Sequence, residues 1–324
     1  MDKTTLRIVY MGTPDFAVES LKSLVEGGYN VVGVVTMPDK PIGRHGSTLQ
    51  ASPVKQYAVS QGITVLQPEK LKEETFINEL KALNADLQIV VAFRMLPEIV
   101  WNMPRLGTFN LHASLLPQYR GAAPINWAVI NGDAETGATT FFLTHEIDTG
   151  KIILQQRLPI ADTDDAEIVH DSLMTMGAGL VLKTVDLIIE GRADAVPQES
   201  FYTNSSELRA APKIFKDTCR INWSLSVKQV YDFVRGLSPY PGAWTELVAP
   251  TGEKMVLKVF HTEKIVESHV LPFGSIRTDS KNFVEVAAQG GFIRLHAVQL
   301  AGKKRMVVTD FLNGFKLTEY FTVE

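Results

Sequence analysis

The chain has 324 residues, of which 45% are hydrophobic and 21% charged, and its formal net charge is −4. This composition is typical of a globular protein, and the length suggests two domains with a substantial core. The single cysteine, Cys219, excludes an intrachain disulfide framework and fits a reducing compartment. We see neither a secretory leader nor an apolar run of about 18 residues, so we expect a cytoplasmic protein without a membrane span.

The first part of the chain alternates between strand and helix patterns. An apolar run over 6–11 predicts a buried strand, 15–26 predicts a helix, and the valine-rich stretch 30–36 predicts a second strand. Such a β-α-β opening favours a parallel sheet with a right-handed crossover. The alternation continues with helices at 54–61 and 73–83 and with strands at 63–66, 87–92 and 108–112. We therefore predict an α/β fold with a Rossmann-like, mostly parallel sheet.

The turn after the first strand gives only a weak nucleotide-binding signal. It contains Gly12 but lacks the G-x-G-x-x-G pattern of dinucleotide-binding proteins. Pro14 also removes one amide donor that a pyrophosphate would need. A plain strand-to-helix turn is therefore favoured, and a nicotinamide-dependent dehydrogenase is disfavoured.

The second half of the chain changes character at residue 192. Before that point the pattern predicts a strand at 137–143 and helices at 123–131 and 165–189. Residues 192–212 are polar and irregular, which is typical of a linker. Short β-rich runs punctuated by glycine and proline follow from Met255 onward and favour a small barrel or sandwich. The predicted domains are therefore 1–191 and 213–324.

Two features suggest a polyanionic partner. Residues 207–324 contain 16 Lys and Arg against 12 Asp and Glu, while the rest of the chain has 16 against 24. A nucleic acid would suit this basic part, although a net charge of +4 is modest and chance asymmetry is the alternative. The polar loop 37–54 carries Lys40, Arg44 and His45. Loops of this length in compact domains tend to be functional or disordered.

Asn110, His112 and Asp148 form the main candidate catalytic group. Side chains at i and i+2 of a strand point to the same side, so Asn110 and His112 would face one space. An amide donor stabilises a developing oxyanion, an imidazole moves protons near neutral pH, and a carboxylate orients the imidazole ring. Direct acyl transfer to an amine needs these parts and no covalent enzyme intermediate. The chain has no G-x-S-x-G elbow that would supply a serine nucleophile.

Each of these residues also has a plain structural interpretation. A lone histidine at a strand end is more often structural, and Asn110 and Asp148 suit turns. His145 and Asp148 could bind a metal together with His112, but neither a cysteine pair nor an H-E-x-x-H spacing supports a metal site. We therefore expect no metal, and the residues alone leave the structural interpretation of His112 open.

A set of motifs in fixed order resembles the folate-dependent formyltransferase family over nearly the whole chain. The central motif is NLHASLLPQYRGAAP at 110–124. The other motifs are MGTPDFA at 11–17, PDKPIGR at 38–44, SPVK at 52–55, GDAETG at 132–137, DTG at 148–150, APKI at 211–214, INW at 221–223, RGLSPYPGA at 235–243, GKKRM at 302–306 and DFLNG at 310–314. Their number and order make the resemblance highly specific.

The resemblance implies transfer of a formyl group from 10-formyltetrahydrofolate to the amino group of methionyl initiator tRNA, in support of translation initiation. Asn110 would then polarise the formyl oxygen, His112 would assist proton transfer at the attacking amine, and Asp148 would orient and charge the imidazole. The C-terminal domain would be a β-barrel similar to an OB-fold that binds the tRNA body through lysines and arginines. A monomer without a metal is expected.

The resemblance also assigns two sets of binding residues. Those expected near the folate are Asp148 together with Phe93, Arg94, Met95, Leu96, Ser114, Leu115, Leu116 and Pro117. Those expected near the tRNA are Lys40, Arg44, His45, Lys213, Lys303, Lys304 and Arg305.

The chain departs from the family pattern at two places. His45 follows Arg44 where the family usually has glycine, and Phe93-Arg94 stands where the family usually has Tyr-Gly. The Arg94-Met95 pair resembles glycinamide ribonucleotide formyltransferases instead, but those are shorter and lack a second domain. An amino-sugar N-formyltransferase that uses the same folate donor is the alternative function. Its known relatives lack the inserted loop that carries Arg44.

Overall fold

The computed structural model describes residues 1–42 and 48–324. The chain divides into two compact units. Unit 1 contains Met1–Gly121, Thr136–Leu158 and His170–Ala210, and unit 2 contains Ala122–Glu135, Pro159–Val169 and Ala211–Glu324. Two segments that precede residue 191, namely 122–135 and 159–169, thus belong to the second unit.

The described residues form strands and helices in the following order. The strands are β1 (Ile8–Gly12), β2 (Val31–Val35), β3 (Lys40–Ile42), β4 (Thr48–Gln50), β5 (Val65–Leu66), β6 (Leu87–Val91), β7 (Thr108–His112), β8 (Arg120–Gly121), β9 (Glu135–Phe142), β10 (Ile152–Pro159), β11 (Ala210–Ala211), β12 (Ala243–Val248), β13 (Lys254–Val266), β14 (Ile276–Thr278), β15 (Val284–Ala288), β16 (Gly291–Leu300), β17 (Met306–Val307) and β18 (Thr322–Val323). The helices are α1 (Asp15–Glu26), α2 (Pro53–Ser60), α3 (Glu74–Ala82), α4 (Glu98–Trp101), α5 (Pro124–Ile130), α6 (Ala166–Ile189), α7 (Val227–Gly236) and α8 (Val308–Gly314).

Unit 1 is built on a sheet of seven strands in the order β10-β9-β7-β6-β1-β2-β5. The pairs β5/β2, β2/β1, β1/β6 and β6/β7 are parallel, and β7/β9 is antiparallel. The prediction of a mostly parallel α/β sheet is confirmed. Because β6 and β7 are parallel neighbours, the segments that follow Val91 and His112 leave the sheet at the same edge. That edge is the place where open α/β sheets bind ligands.

Helix α6 is long and apolar enough, at a mean hydropathy of 1.5, to pass a length-and-composition test for a membrane span, and in residues 1–42 and 48–324 no other helix does. Its contacts are those of a core helix. Gly177 packs so closely on Leu111 that an added Cβ would lie 2.8 Å from the leucine side chain. The Thr184 hydroxyl lies 2.8 Å from the Thr140 hydroxyl of β9. The apolar composition of α6 therefore reflects packing on the sheet.

Unit 2 is built on an antiparallel sheet in the order β14-β15-β16-β13-β12-β18. A bridge between Ser275 and Thr322 brings its two edges together, so the sheet is nearly closed into a barrel. Helix α7 begins with a capping box formed by Ser226 and Gln229 and packs its apolar face on the barrel core. The predicted C-terminal barrel is confirmed.

The polar loop 37–54 contains more structure than its sequence indicates. Strands β3 and β4 pair as a hairpin of exposed residues. At its base, the Lys55 ammonium lies 2.7 Å from the Asp39 carboxylate, and the Gln67 amide donates to the same carboxylate at 2.7 Å. Donation by Lys55 and then by Gln67 lowers the pKa of Asp39. The hairpin is therefore anchored to unit 1 at its base.

The predicted linker 192–212 is partly packed. Val196 exchanges two backbone hydrogen bonds of 2.8 Å with Ile152. Gln198 opens a short 3-10 helix, Gln198–Phe201, and is fully buried. The polar composition of residues 192–212 suggested a linker. The sequence did not indicate this packing because the partners of Val196 and Gln198 are distant in the chain.

Candidate active site

Asn110 and His112 lie at the end of β7, between β6 and β9. Asn110 pairs with Val90 and Phe141, and His112 pairs with Thr139. The strand geometry puts both side chains on the same side of the sheet, as their spacing predicts. Asn110 is half-buried, and its amide makes no hydrogen bond to any residue that the structure describes. This amide is therefore available to a ligand at the carboxyl edge of the sheet.

The ring of His112 is 7% exposed and has a defined tautomer. Its Nε2 lies 2.8 Å from the Tyr119 carbonyl oxygen. Because a carbonyl can only accept a hydrogen bond, Nε2 carries the proton and donates it. In the neutral ring Nδ1 is then the free base. Nδ1 lies 3.9 Å from Oδ2 of Asp148, so a proton taken up at Nδ1 would sit beside a carboxylate.

Asp148 reaches this position from a tight turn between β9 and β10. Its backbone has a φ of +55°, in the left-handed region that aspartate tolerates better than most residues. Its Oδ2 accepts a hydrogen bond of 2.9 Å from the Gly121 amide. Two residues on, the backbone of Gly150 passes so close to Phe142 that a Cβ would lie 1.6 Å from the Phe142 carbonyl oxygen. The turn therefore requires glycine at 150, which accounts for the glycine of the Asp-Thr-Gly motif.

The turn that follows His112 is held by hydrogen bonds from buried and half-buried side chains. The Ser114 hydroxyl donates to the Gln118 carbonyl at 2.6 Å. The Thr139 hydroxyl donates to the Ser114 carbonyl at 2.6 Å and accepts from the Leu116 amide at 3.1 Å. The Gln155 amide donates to the Leu116 carbonyl at 2.6 Å. These contacts fix the path of the chain towards Tyr119, whose carbonyl holds His112.

The residues expected near the folate lie around this edge, and their predicted contacts stay predictions. Met95 is 72% exposed and lines a groove of about 580 Å³. The groove is formed by Leu71, Lys72, Met95, Leu96, Pro97, Glu98 and Ile99. Phe93 is half-buried, as is Leu115, whereas Ser114, Leu116 and Pro117 are buried. Of the buried residues in this set, Ser114 and Leu116 take part in the hydrogen bonds that hold the turn after His112.

Arg94 is engaged with its own chain. Its guanidinium donates to the Glu69 carbonyl at 2.8 Å and also to the Pro68 carbonyl. Desolvation lowers the pKa of this guanidinium. Arg94 therefore fixes the loop at 68–69, which gives a structural reason for the departure from Tyr-Gly at this position.

The residues expected near the tRNA are exposed where the structure describes them. Lys40 lies on β3, and the ammonium of Lys213 lies 5.5 Å from the centre of the Phe215 ring. The basic run Lys303, Lys304 and Arg305 lies in the exposed turn between β16 and β17. Arg44 and His45, which were also expected at the tRNA, lie outside the described residues.

Several residues that support the candidate site carry no signal of this role in the sequence. Tyr119 and Arg120 lie within the central motif, but no local pattern indicates that the Tyr119 carbonyl receives His112. Thr139 looks like an ordinary strand residue. Gln198 lies in the predicted linker, where no sequence signal points to it. The roles of Thr139 and Gln198 depend on contacts between residues far apart in the chain.

Comparison with known proteins gives matches over the whole chain. A formyl transferase family model matches residues 6–185, and a model of the formyl transferase C-terminal domain matches residues 213–316. The chain is 72% identical over 323 residues to the methionyl-tRNA formyltransferase of Parabacteroides distasonis, with 100% of each chain covered. It is 70% identical over 324 residues to the enzyme of the same name from Phocaeicola vulgatus, again with 100% of each covered.

A solved structure shares the fold at much lower identity. The sugar 3N-formyl transferase WlaRD, crystallised in the presence of dTDP and 5-N-formyl-THF, superposes with a TM-score of 0.62 at 17% identity. The match covers 92% of this chain and 99% of that one. At this identity the likeness concerns the fold and not the acceptor.

Proposed function

The chain belongs to the formyl transferase family, and from this premise we propose that it transfers the formyl group of 10-formyltetrahydrofolate to the amino group of methionyl initiator tRNA. The observation that carries the proposal is the 72% identity, over its full length, to an enzyme named for this acceptor. The arrangement of Asn110, His112 and Asp148 supports it, because these groups can promote direct acyl transfer to an amine. Cytoplasmic translation initiation is the process this reaction would serve.

The reaction needs a base, an oxyanion donor and a proton for the leaving nitrogen. The methionyl amine attacks the formyl carbon, and a new carbon–nitrogen bond forms. The bond from the formyl carbon to N10 of the folate then breaks. The amine loses one proton and N10 gains one, so the transfer needs no external proton donor or acceptor. A group that takes the proton and returns it, together with a donor to the formyl oxygen, is sufficient.

The candidate residues fill these roles in the following way. The Asn110 side-chain amide donates to the formyl oxygen as negative charge develops there, a contribution of about 10²–10³ in rate. His112 accepts the amine proton at Nδ1, the ring nitrogen that faces Asp148. The Asp148 carboxylate stabilises the resulting imidazolium, since an opposite charge at this distance favours the charged form. The Tyr119 carbonyl keeps the ring oriented throughout by accepting from Nε2.

We place the folate at the carboxyl edge of β6 and β7. Met95 and the groove from Leu96 to Ile99 offer an apolar surface beside the edge that carries Asn110. Mostly apolar grooves with few polar groups are typical of small-molecule sites. The tRNA would contact the exposed lysines and arginines by charge, at Lys40 and at the 303–305 run.

A formylation assay with two acceptors tests the proposal. Purified protein is incubated with 10-formyltetrahydrofolate and either methionyl initiator tRNA or a nucleotide-linked amino sugar. We expect formyl-methionyl-tRNA and no formylated sugar. Formylation of the sugar alone would favour the amino-sugar enzyme that shares this fold, and an absence of formyl-methionyl-tRNA would refute the proposal.

A further inference from the structure

A segment outside the family motifs contacts the turn that carries Asp148. Val196 is paired with Ile152 through two backbone hydrogen bonds, which docks residues 196–201 against the start of β10. Gln198, two residues further on, is fully buried. A buried glutamine has two donors and one acceptor to satisfy, so its partners show what it holds together.

Within the described residues, the side chain of Gln198 hydrogen-bonds to the Asp148 turn and to Arg120. Its Nε2 donates to the Asp148 carbonyl at 2.8 Å and to the Gly150 carbonyl at 2.9 Å. Its Oε1 accepts from Nε and Nη2 of Arg120 at 3.0 and 2.7 Å. Gln198 therefore links the Asp148 turn to the segment that follows Tyr119.

Arg120 fixes which way the Gln198 amide points. A guanidinium has only donors, so it must face Oε1 and never Nε2. Nε2 is then directed at the two carbonyls of the turn. The reverse orientation would put Oε1 against two carbonyl oxygens and Nε2 against a cation, and both contacts would be repulsive. Arg120 thus orients the Gln198 amide so that it donates to the carbonyls of Asp148 and Gly150.

The conformation of Asp148 depends on such support. Its φ of +55° is a region that residues with a side chain adopt at a cost and keep when their surroundings hold it. In this backbone conformation the carboxylate lies 3.9 Å from His112 Nδ1. We infer that Gln198 is a positioning residue, which keeps Asp148 facing His112 through the backbone of the turn. The inference rests on the catalytic role proposed for Asp148.

Two substitutions at Gln198 separate this role from simple packing. Gln198→Met keeps the length and volume of the side chain but loses every hydrogen bond. Gln198→Glu keeps an acceptor for Arg120 and should fold if the methionine variant does not, but its carboxylate cannot donate to the turn. We expect both to lower kcat in the tRNA formylation assay by about 10- to 100-fold, as a displacement of about 1 Å in a catalytic group can. The KM for each substrate should change less than about threefold.

A matched control and a second background show whether the effect passes through Asp148. Gln88 is also fully buried in unit 1, but its side chain accepts from Thr108 and, among the described residues, makes no hydrogen bond to the turn or to Arg120. Gln88→Met should therefore leave kcat within about threefold of wild type. In an Asp148→Asn background, which keeps a residue tolerant of the left-handed region, Gln198→Met should have little further effect on single-turnover rate.

The outcomes separate this inference from the proposed function. An active wild type whose Gln198→Met and Gln198→Glu variants keep full kcat would overturn the inference alone. Equal loss in the wild-type and Asp148→Asn backgrounds would also overturn it, because Gln198 would then act independently of Asp148. A wild type that makes no formyl-methionyl-tRNA would overturn the proposed function and this inference with it.

Discussion

The two ring nitrogens of His112 face different groups, one neutral and one charged. A neutral carbonyl, that of Tyr119, fixes the Nε2 proton, and a carboxylate, that of Asp148, faces the other ring nitrogen. The first contact orients the ring and the second stabilises it when charged. A histidine with only the first contact would be structural, as its position at a strand end suggests. The second contact makes proton transfer the better interpretation.

Replacement of His112 by alanine should abolish most of the turnover. We expect kcat to fall by about 10²–10⁴-fold, the usual contribution of a positioned general base. The hydrogen bond from Nε2 to the Tyr119 carbonyl would also be lost, at a cost of about 0.5–1.5 kcal/mol in the free energy of unfolding. Single-turnover formylation and urea denaturation measure the two effects. A variant that formylates at the wild-type rate would refute the proton-transfer role.

Strand β9 supports the site from its place beside β7 in the sheet. Thr139 lies on β9 opposite His112, and its hydroxyl satisfies both the Ser114 carbonyl and the Leu116 amide. One side chain thus fixes the start of the turn that leads to Tyr119. Strand β9 therefore helps to fix the geometry of the candidate site, although none of its own residues is a proposed catalytic group.

Thr139→Val removes this hydroxyl without changing the side-chain shape. Two buried backbone groups lose a partner, so we expect the free energy of unfolding to fall by about 1–3 kcal/mol. Thr140→Val is the matched control, because the partner hydroxyl of Thr184 also donates to the Leu180 carbonyl and stays satisfied. Urea denaturation of both variants measures the difference. Equal losses would contradict the role assigned to Thr139.

The hairpin of β3 and β4 is an element whose anchoring depends on pH. The pKa of Asp39 is lowered in the folded chain by Lys55 and Gln67, so the charged form stabilises the hairpin base. This stabilisation is complete above the ordinary aspartate pKa of about 4 and is lost as the pH falls through the lowered value. Hydrogen exchange of residues 36–42 and 48–55 should thus be faster in Asp39→Asn than in wild type at pH 7. The two proteins should converge at low pH, and a constant difference at every pH would argue against the ion pair.

At the scale of the whole molecule, charge is distributed unevenly along the chain. Residues 207–324 have a net positive charge, whereas the remaining residues have a net negative charge. A basic region attracts a polyanion and an acidic region repels it. The exposed run from Lys303 to Arg305 is the densest basic segment of that part. This distribution suits a tRNA acceptor better than a small sugar.

Binding of tRNA should therefore weaken steeply with salt. Phosphate contacts release counterions, so the association constant K falls as salt rises. The double variant Lys303→Gln with Lys304→Gln should make the negative slope of log K against log salt less steep by about 1 to 2. Lys281→Gln with Lys316→Gln removes the same charge from exposed positions of unit 2 and is the control. Fluorescence titration at several salt concentrations measures the slopes. Equal slopes for both double variants would show that the 303–305 run has no special role.

The sequence by itself determined the alternation of strands and helices in the first part of the chain, the mostly parallel sheet, the C-terminal barrel and the family. These follow from local information, because hydrophobic periodicity and motif order are present in short stretches of chain. The spacing of Asn110 and His112 also fixed their common side, since strand geometry has a period of two. The sequence indicated neither the hairpin in the polar loop nor the docking of residues 196–201.

Only the tertiary structure decided which distant groups meet. Asp148 lies 3.9 Å from His112, and Gln198 reaches Asp148 across 50 residues of sequence. The physical reason is that a buried hydrogen bond depends on the positions of two atoms in space. The sequence around each partner carries no record of the other. The candidate catalytic residues could therefore be predicted from the motif. The hydrogen bonds that hold them in position could be found only in the folded structure.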